Sequence, residues 1–221
     1  MIGIIGAMDE EVISVKRRMH VTEQREIAGK EFFIGTIDEK EVVVVQSGTG
    51  KVNAAICTQI LIDVFNVTHM VSTGVASALY PELNIGDIIL ASDLGDKANL
   101  EQNMNHLQRT QYYEANSSLI QKVQCAVSQL RGNHKAYIGT INSEDEFICL
   151  TRVDSSLYTS HIAYCSEMEG TAIAFTCFAN KIPFVAIRII SDKVDPDGDE
   201  NFEDFVDIAA RTMSRIVKDI L

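Results

Sequence analysis

The sequence predicts an α/β protein in three layers, with helices on both faces of a central twisted sheet that is mixed and largely parallel. Short apolar or β-branched runs alternate with segments of helical periodicity along the chain. The predicted strand 184–190 and the helix before it carry few surface-type residues, which is typical of elements covered on both sides. Glycine-rich turns follow two other strands, as expected at the edge of such a sheet.

The predicted strands are apolar runs bounded by turn residues, and the predicted helices repeat apolar residues every three or four positions. The strands span 2–6, 24–28, 31–37, 41–46, 68–73, 88–91, 136–141 and 184–190. The helices run from 7 to about 18, from 52 to about 65, over 118–130, onward from 167–169 and from about 201, with a weaker pattern at 150–158. The amide-rich segment from Ser92 to about Asn116 is predicted to be a loop that holds at most one short helix.

The 221 residues fit a single domain, 1–221, with 46% hydrophobic and 23% charged residues. The net charge of −12 at pH 7 disfavours nucleic acid and anionic membrane surfaces as partners. The N-terminal region lacks the basic start of a signal peptide and no apolar run reaches membrane-spanning length, so a cytoplasmic location is expected. The five dispersed cysteines predict reduced thiols, and neither they nor the five histidines form a metal-binding motif.

The two glycine-rich turns cover residues 47–51 and 74–78, and each would let a ligand approach the backbone. The first turn is not a P-loop, because Val45 stands where that motif requires glycine. The glycines near the N-terminus do not form a dinucleotide fingerprint either, since its first glycine would fall on Met1. Because both nucleotide-binding motifs are incomplete, nucleoside triphosphates and NAD are not expected as ligands.

Acidic residues flank the most apolar part of the chain. Glu167 and Glu169 lie at the start of the predicted apolar helix, and Asp192 lies at the end of the strand 184–190. Acids at such positions need a ligand, a hydrogen bond or water to hold them. Taken singly, each also fits ordinary helix or loop capping. The same capping interpretation applies to Glu11 in the first turn of the first helix.

Eight segments together resemble one enzyme family. They read GIIGAMDEEV (3–12), SGTGKVNAA (47–55), STG (72–74), IGDI (85–88), EME (167–169), PFV (183–185), RIISD (188–192) and FEDF (202–205). In this order and spacing they are similar to bacterial 5'-methylthioadenosine/S-adenosylhomocysteine nucleosidases, which belong to the purine nucleoside phosphorylase superfamily. The resemblance covers the chain apart from about 93–116 and 150–161.

The resemblance implies a nucleoside phosphorylase/nucleosidase-like fold and a homodimeric hydrolase that separates adenine from the ribose of a 5'-substituted adenosine, in methionine salvage, without metal or cofactor. Asp192 matches the general acid at purine N7, Glu11 the carboxylate that activates water, and Glu169 the group that binds the ribose hydroxyls. The other implied site residues are Met8 and Met168 at the sugar, Phe147 and Ile148 at the purine, Thr49 and Phe202 at the 5' pocket, Ser191 supporting Asp192, Arg188 ordering the site, and Glu167, Val75 and Ala76 beside them.

Three differences separate this chain from the family pattern. Val75-Ala76-Ser77 stands where family members usually have Ser-Ala-Gly, and Glu144 and Glu146 replace small residues. The family's aromatic-rich loop with its His-Asp pair is not recognisable within 93–116. Two alternatives stay open: a phosphorylase, for which Lys51 and Arg188 would be the phosphate-binding cations, and a nucleoside-binding paralogue with weak catalysis.

Overall fold

The computed structural model describes residues 1–96, 112–130, 134–145, 163–193 and 202–221, except the side chains of 202–204 and 207. The described strands are β1 (Ile2–Gly6), β2 (His20–Ile27), β3 (Lys30–Ile37), β4 (Lys40–Gln46), β5 (His69–Ala78), β6 (Ile88–Asp96), β7 (Tyr113–Glu114), β8 (Ala136–Ser143), β9 (Cys165–Glu167) and β10 (Phe184–Lys193). The described helices are α1 (Asp9–Lys16), α2 (Lys51–Asp63), α3 (Ser117–Ser128), α4 (Gly170–Asn180) and α5 (Phe202–Ile220).

All ten strands belong to one mixed sheet. Its centre is parallel: β1 pairs with β4 and β5, and β5 pairs with β10. The hairpin predicted around Gly29 extends one side of the sheet, since β2, β3 and β4 pair in antiparallel order. Parallel strands of this kind are covered on both faces, which accounts for the continuous burial of Val42 to Val45.

Helices pack against both faces of the sheet. One buried cluster joins apolar residues of α2 and α4 to the sheet, among them Leu61 and Cys177. A second cluster on the opposite face includes Val12 of α1, Val123 of α3 and Ile216 of α5. The predicted three-layer α/β fold with a mixed sheet is therefore confirmed.

Five strands close into a ring. β5 pairs with β10, β10 with β6, β6 with β8, β8 with β9, and β9 returns to β5 through the pair Ser77 and Ser166. A strand in such a ring is hydrogen-bonded on both sides. The carboxyl ends of β5, β9 and β10 are thereby held close together.

Several predicted boundaries were wrong, most of them near this ring. β10 continues to Lys193 rather than ending at Ile190, and away from the ring β2 begins at His20 rather than at residue 24. β5 continues to Ala78 rather than ending at Thr73, because β10 pairs with it along that length. β6 continues through an irregularity to Asp96, where a loop was predicted, because β8 pairs with it there. Residues 165–167 form β9, and α4 begins only at Gly170.

The helical pattern at 150–158 lies outside the described residues. None of the described helices combines the length and apolar character that a bilayer crossing requires.

Candidate active site

A cavity of about 250 Å³ lies where β1, β5 and β10 end. Carboxyl ends of strands are the usual ligand-binding edge of an α/β sheet. The three acids singled out from the sequence, Glu11, Glu169 and Asp192, all line this cavity although they lie far apart in the chain. Glu11, Glu169 and Asp192 therefore lie in one cavity, as predicted.

Glu11 is held in the first turn of α1 by backbone N–H groups. Its Oε2 accepts hydrogen bonds from Ala7 N at 2.7 Å and Met8 N at 3.0 Å, and its Oε1 accepts one from Val75 N at 3.0 Å. Gly74 leaves room for this contact, since a Cβ there would lie 2.8 Å from Oε1. Burial raises the pKa of Glu11 above its ordinary value of 4.5, and these N–H groups and Arg188 offset part of the rise.

Glu169 precedes α4 and reaches across to the first glycine-rich turn. Its Oε1 accepts a hydrogen bond of 2.7 Å from Gly50 N. Gly50 has φ +98°, a conformation that favours glycine, so the turn that presents this N–H depends on the residue type. Burial raises the pKa of Glu169 to about 7, helped by the charges of Glu167 and Glu11 and opposed by Gly50 N–H and Arg188.

Glu167 and Arg188 form a buried ion pair behind these two acids. Arg188 Nη2 lies 2.7 Å from Glu167 Oε2 and 3.1 Å from Ser72 Oγ. Glu167 Oε2 also accepts from Gly170 N at 2.7 Å, and Glu167 Oε1 accepts from the Ser143 hydroxyl. Burial lowers the pKa of Arg188, but Glu167 and the other acids raise it more, so its pKa lies above that of an ordinary arginine. Arg188 itself lines a smaller polar cavity that adjoins Glu11 and Glu169.

Asp192 lies near the end of β10, next to a shift in the strand register at Ser191. Ser191 Oγ donates a hydrogen bond of 2.6 Å to Asp192 Oδ1. Both residues are buried and line the main cavity. The hydroxyl therefore fixes the orientation of the carboxyl group that was predicted to act as the acid.

The remaining predicted site residues fall into three groups. Those that line the main cavity are Met8, Thr49, Val75, Ala76, Glu167 and Met168. Phe147 and Ile148 lie outside the described residues. Phe202 begins α5, but its side chain is also outside the described part of the structure. Their roles remain predictions.

Sequence reasoning missed four contributors to the site. Gly50 N–H and the Ser143 hydroxyl bind the acids Glu169 and Glu167 directly. Ser77 and Ser166 line the cavity. Two of them carried a signal: Ser77 as a departure from the family's usual glycine, and Gly50 as part of the glycine-rich turn 47–51. Ser143 and Ser166 become neighbours of the site through strand pairing.

The arrangement suits proton transfer on a small polar ligand. The carboxyl groups of Glu11, Glu167, Glu169 and Asp192 line the main cavity, and the side chains of Met8 and Met168 supply apolar contact. Among the described residues, no group of three or more His, Cys, Asp or Glu side chains is placed to hold a metal ion. Lys51, the cation at the glycine-rich turn, lies 2.7 Å from Asp96 Oδ2 and 3.1 Å from Asp145 Oδ1.

Comparison with known proteins agrees with this geometry. The sequence profile of the family described as Phosphorylase superfamily matches residues 1–221. The 5'-methylthioadenosine/S-adenosylhomocysteine nucleosidase of Staphylococcus carnosus (strain TM300) is 37% identical over 227 residues, which cover 100% of this chain and 99% of that protein. The protein of the same name from Staphylococcus epidermidis (strain ATCC 12228 / FDA PCI 1200) is 38% identical, with coverage of 98% and 97%.

Solved structures give the same result. A 5'-methylthioadenosine/S-adenosylhomocysteine nucleosidase from Colwellia psychrerythraea 34H, in complex with adenine, has a TM-score of 0.89 at 33% identity and covers 99% of this chain and 93% of its own. Futalosine hydrolase of Helicobacter pylori strain 26695 also has a TM-score of 0.89, at 28% identity, with coverage of 99% and 96%. The chain therefore belongs to the phosphorylase superfamily, among the 5'-methylthioadenosine/S-adenosylhomocysteine nucleosidases.

Proposed function

We propose that this protein hydrolyses the N-glycosidic bond of 5'-methylthioadenosine, S-adenosylhomocysteine or another 5'-substituted adenosine, releasing adenine and the 5'-substituted ribose. The observation that carries the proposal is the convergence of Glu11, Glu169 and Asp192 on one cavity. Such a reaction fits methionine salvage. It requires no metal or cofactor, because proton transfer and charge stabilisation suffice for this bond.

The three acids divide the chemistry between the two ends of the cavity. Cleavage of the glycosidic bond passes through an oxocarbenium-like state, in which the base leaves with the bonding electrons. Asp192 protonates purine N7 as the base leaves, and Ser191 keeps the carboxyl group in position. Glu11 takes a proton from the attacking water, and Glu169 binds the ribose hydroxyls. Met8 and Met168 contact the sugar, and Thr49 lines the 5' pocket.

Hydrolysis is favoured over phosphorolysis by the partners of Lys51 and Arg188, the two cations considered as phosphate ligands. Lys51 is paired with Asp96 and Asp145, and Arg188 is paired with Glu167. A phosphate ion at the cavity would also face Glu11, whose carboxyl group competes for the same N–H donors. Phosphate recognition normally relies on free cationic donors. Among the described residues, these two cations are therefore poorly placed to bind it.

The test is a panel of 5'-substituted adenosines assayed for free adenine with and without phosphate. We expect adenine release at equal rates in both conditions. Asp192→Asn is expected to reduce the rate by about 10²- to 10⁴-fold, the usual contribution of a general acid, while nucleoside binding persists. A strict phosphate requirement would favour the phosphorylase, and binding without turnover by the wild type would favour the non-catalytic paralogue.

A homodimer and a cytoplasmic location are part of the same proposal. α2 and α4 pack side by side, joined by a hydrogen bond of 2.8 Å from Asn180 Nδ2 to Gln59 Oε1, and they expose apolar side chains on their outer surface. We name this surface the helix-pair patch; it consists of Val52, Ile56, Phe175 and Phe178. A second copy of the chain would bury it.

The free cysteines Cys57, Cys165 and Cys177 are buried, which fits a reducing compartment such as the cytoplasm.

A further inference from the structure

Four polar side chains form a row across neighbouring strands of the ring. The strand registers pair Asn142 of β8 with Ser166 of β9, Ser166 with Ser77 of β5, and Ser77 with Asp192 of β10. Residues paired in this way point to the same face of a sheet. Their neighbours Ile141, Cys165 and Ala78 point to the other face, in the core beside α2 and α4. We call Asn142, Ser166, Ser77 and Asp192 the polar row.

Three members of the polar row line the main cavity, and the fourth, Asn142, is paired with one of them, Ser166. Asp192, Ser77 and Ser166 are cavity residues. The described residues give neither serine hydroxyl a hydrogen-bond partner. Asn142 is only 1% exposed, and its Oδ1 is a buried acceptor without a hydrogen bond among the described residues. A buried unpaired acceptor destabilises a fold, so a native protein that keeps one generally uses it.

The polar row lies at the end of the cavity where the leaving base would bind. Val75 N holds Glu11, the group placed at the sugar, whereas Ser77 is two residues further along β5 and is paired with Asp192. Two strand residues span about 7 Å, which is comparable to the distance from the glycosidic bond across a purine. The serines are therefore beside the base rather than the ribose.

We propose that the polar row is a base-recognition subsite of this chain, specific for an amino-substituted purine. This inference rests on the proposed function and deepens it. When the base binds, Ser166 turns its hydroxyl toward Asn142 Oδ1, the acceptor that the described residues leave unpaired, so that Ser166 Oγ accepts an N–H of the amino group. Ser77 donates to a purine ring nitrogen. Each hydroxyl can donate once and accept twice, which permits both arrangements.

The subsite depends on the hydroxyl groups of this chain. Ser77 supplies a donor at the end of β5 that a glycine or an alanine at this position would lack. A site that hydrogen-bonds a ligand group discriminates strongly against a ligand without that group, because its own polar atoms are then left unpaired. The polar row therefore strengthens the preference for the amino-substituted base.

The first test measures binding of free adenine and of unsubstituted purine, which lacks the amino group, by calorimetry. Ser166→Ala is expected to weaken adenine binding by about 3- to 10-fold, as for one lost hydrogen bond, and to leave purine binding unchanged. Ser77→Ala is expected to weaken both ligands, since both keep the ring nitrogens. Ser128→Ala removes an exposed hydroxyl on α3 and serves as the matched control, with no change. Equal effects of Ser166→Ala on the two bases, or none, would overturn the proposal.

The second test uses Asn142→Leu, which keeps the side-chain shape and removes the unpaired acceptor. The melting temperature of the ligand-free protein is expected to rise, because an unsatisfied buried polar group is lost. Adenine binding is expected to weaken by about 3-fold or more, because the Ser166 proton loses its acceptor. These opposite changes distinguish a ligand-reading residue from a structural one. Unchanged adenine binding in this variant would refute the role of Asn142.

Failure of this inference is separable from failure of the proposed function. Base binding does not depend on turnover, whereas the proposed function is tested by adenine release from nucleosides. If the wild type releases adenine but the serine variants bind both bases normally, only the subsite is refuted. If the wild type releases no adenine from any 5'-substituted adenosine, the hydrolase itself is refuted.

Discussion

Arg188 is a buried cation that interacts with three glutamates of the site, Glu167, Glu11 and Glu169. Its pair with Glu167 is almost completely removed from water, with side chains that are 3% and 2% exposed. Two such charges are stable only because each has further hydrogen bonds, from Arg188 to Ser72 and from Gly170 N to Glu167. Removing one partner leaves the other charged and unpaired in the core. The folded site therefore requires both members of the pair, because neither can be removed without destabilising the other.

Arg188→Met is expected to lower the free energy of unfolding by about 3 to 5 kcal/mol, the cost of stranding a buried charge. Urea denaturation followed by circular dichroism measures this. Arg25→Met provides the matched control, because Arg25 pairs with Glu23 on the exposed strand β2 and such surface pairs contribute little. Similar losses in the two variants would contradict the role given to the buried pair.

Glu169 predicts a pH dependence of stability. Its pKa is about 7 in the folded protein against 4.5 for an ordinary glutamate, so the folded state holds a proton that the unfolded state releases between these values. Stability from this group is complete below about pH 4.5 and is lost as the pH rises through 7. The loss is on the order of 3 to 4 kcal/mol, from a rise of about 2.5 pKa units at about 1.4 kcal/mol per unit.

Glu169→Gln removes this titration. The variant is expected to lose less stability than the wild type between pH 5 and pH 8, as measured by urea unfolding at both values. Other titrating groups are common to both proteins and cancel in the difference. Parallel pH profiles for the two proteins would show that Glu169 does not hold a proton in the folded state.

Strand β5 brings the two ends of the site together. Its residues 74 and 75 contact Glu11, and Ser77 is paired with both Ser166 and Asp192. This is possible because small residues, Gly74, Ala76 and Ala78, allow close approach of neighbouring groups along the strand. A single strand therefore sets the distance between Glu11 and Asp192.

Gly74→Ala tests this positioning, because the new methyl group would lie 2.8 Å from Glu11 Oε1 and must displace that carboxyl group. The kcat of adenine release is expected to fall by at least about 10-fold, as when a general base is misplaced. Gly29→Ala is the control: Gly29 has open space around it but φ +70°, so this change is expected to cost about 1 to 2 kcal/mol of stability and leave kcat unchanged. Normal kcat in Gly74→Ala would contradict the proposed role of Glu11.

Most elements could be predicted from the sequence because their patterns are local. The β-branched run of β4 and the apolar face of α5 identify themselves within a few residues. β9 could not be predicted, since three residues carry no periodicity and become a strand only through pairing with β5 and β8. The same holds for the end of β6, whose polar residues look like a loop until β8 lies beside them.

The site was predicted unevenly for a related reason. Glu11, Glu169 and Asp192 were identified because each lies in a segment that resembles the family. Ser191 was predicted with Asp192 because it is the adjacent residue. The backbone partners of the two glutamates, Gly50 N–H for Glu169 and Val75 N–H for Glu11, depend on distances that only the folded chain supplies. Asn142 gave no signal, because a lone asparagine in a strand is unremarkable until its neighbours across the sheet are known.

The molecule as a whole is expected to be a dimer joined at the helix-pair patch. Val52 is 74% exposed and Phe178 is 59% exposed, so both sit on the outer surface. Val52→Glu together with Phe178→Glu is expected to halve the mass measured by sedimentation equilibrium. Ile208→Glu changes an equally apolar and 57% exposed residue on α5, on the other face, and is expected to leave the mass unchanged. A monomeric wild type, or equal effects of both changes, would contradict this interface.

The hairpin strand β2 lies at the far border of the sheet from the ring. In the described part of the chain it pairs on one side only, with β3, and its side chains from His20 to Glu26 are exposed. Glu23, Arg25 and Glu26 place charges along this border, a common protection against the addition of foreign strands. Because β2 carries a charged border, growth into fibrils by strand addition there is discouraged, and association between copies is directed to helical surfaces instead.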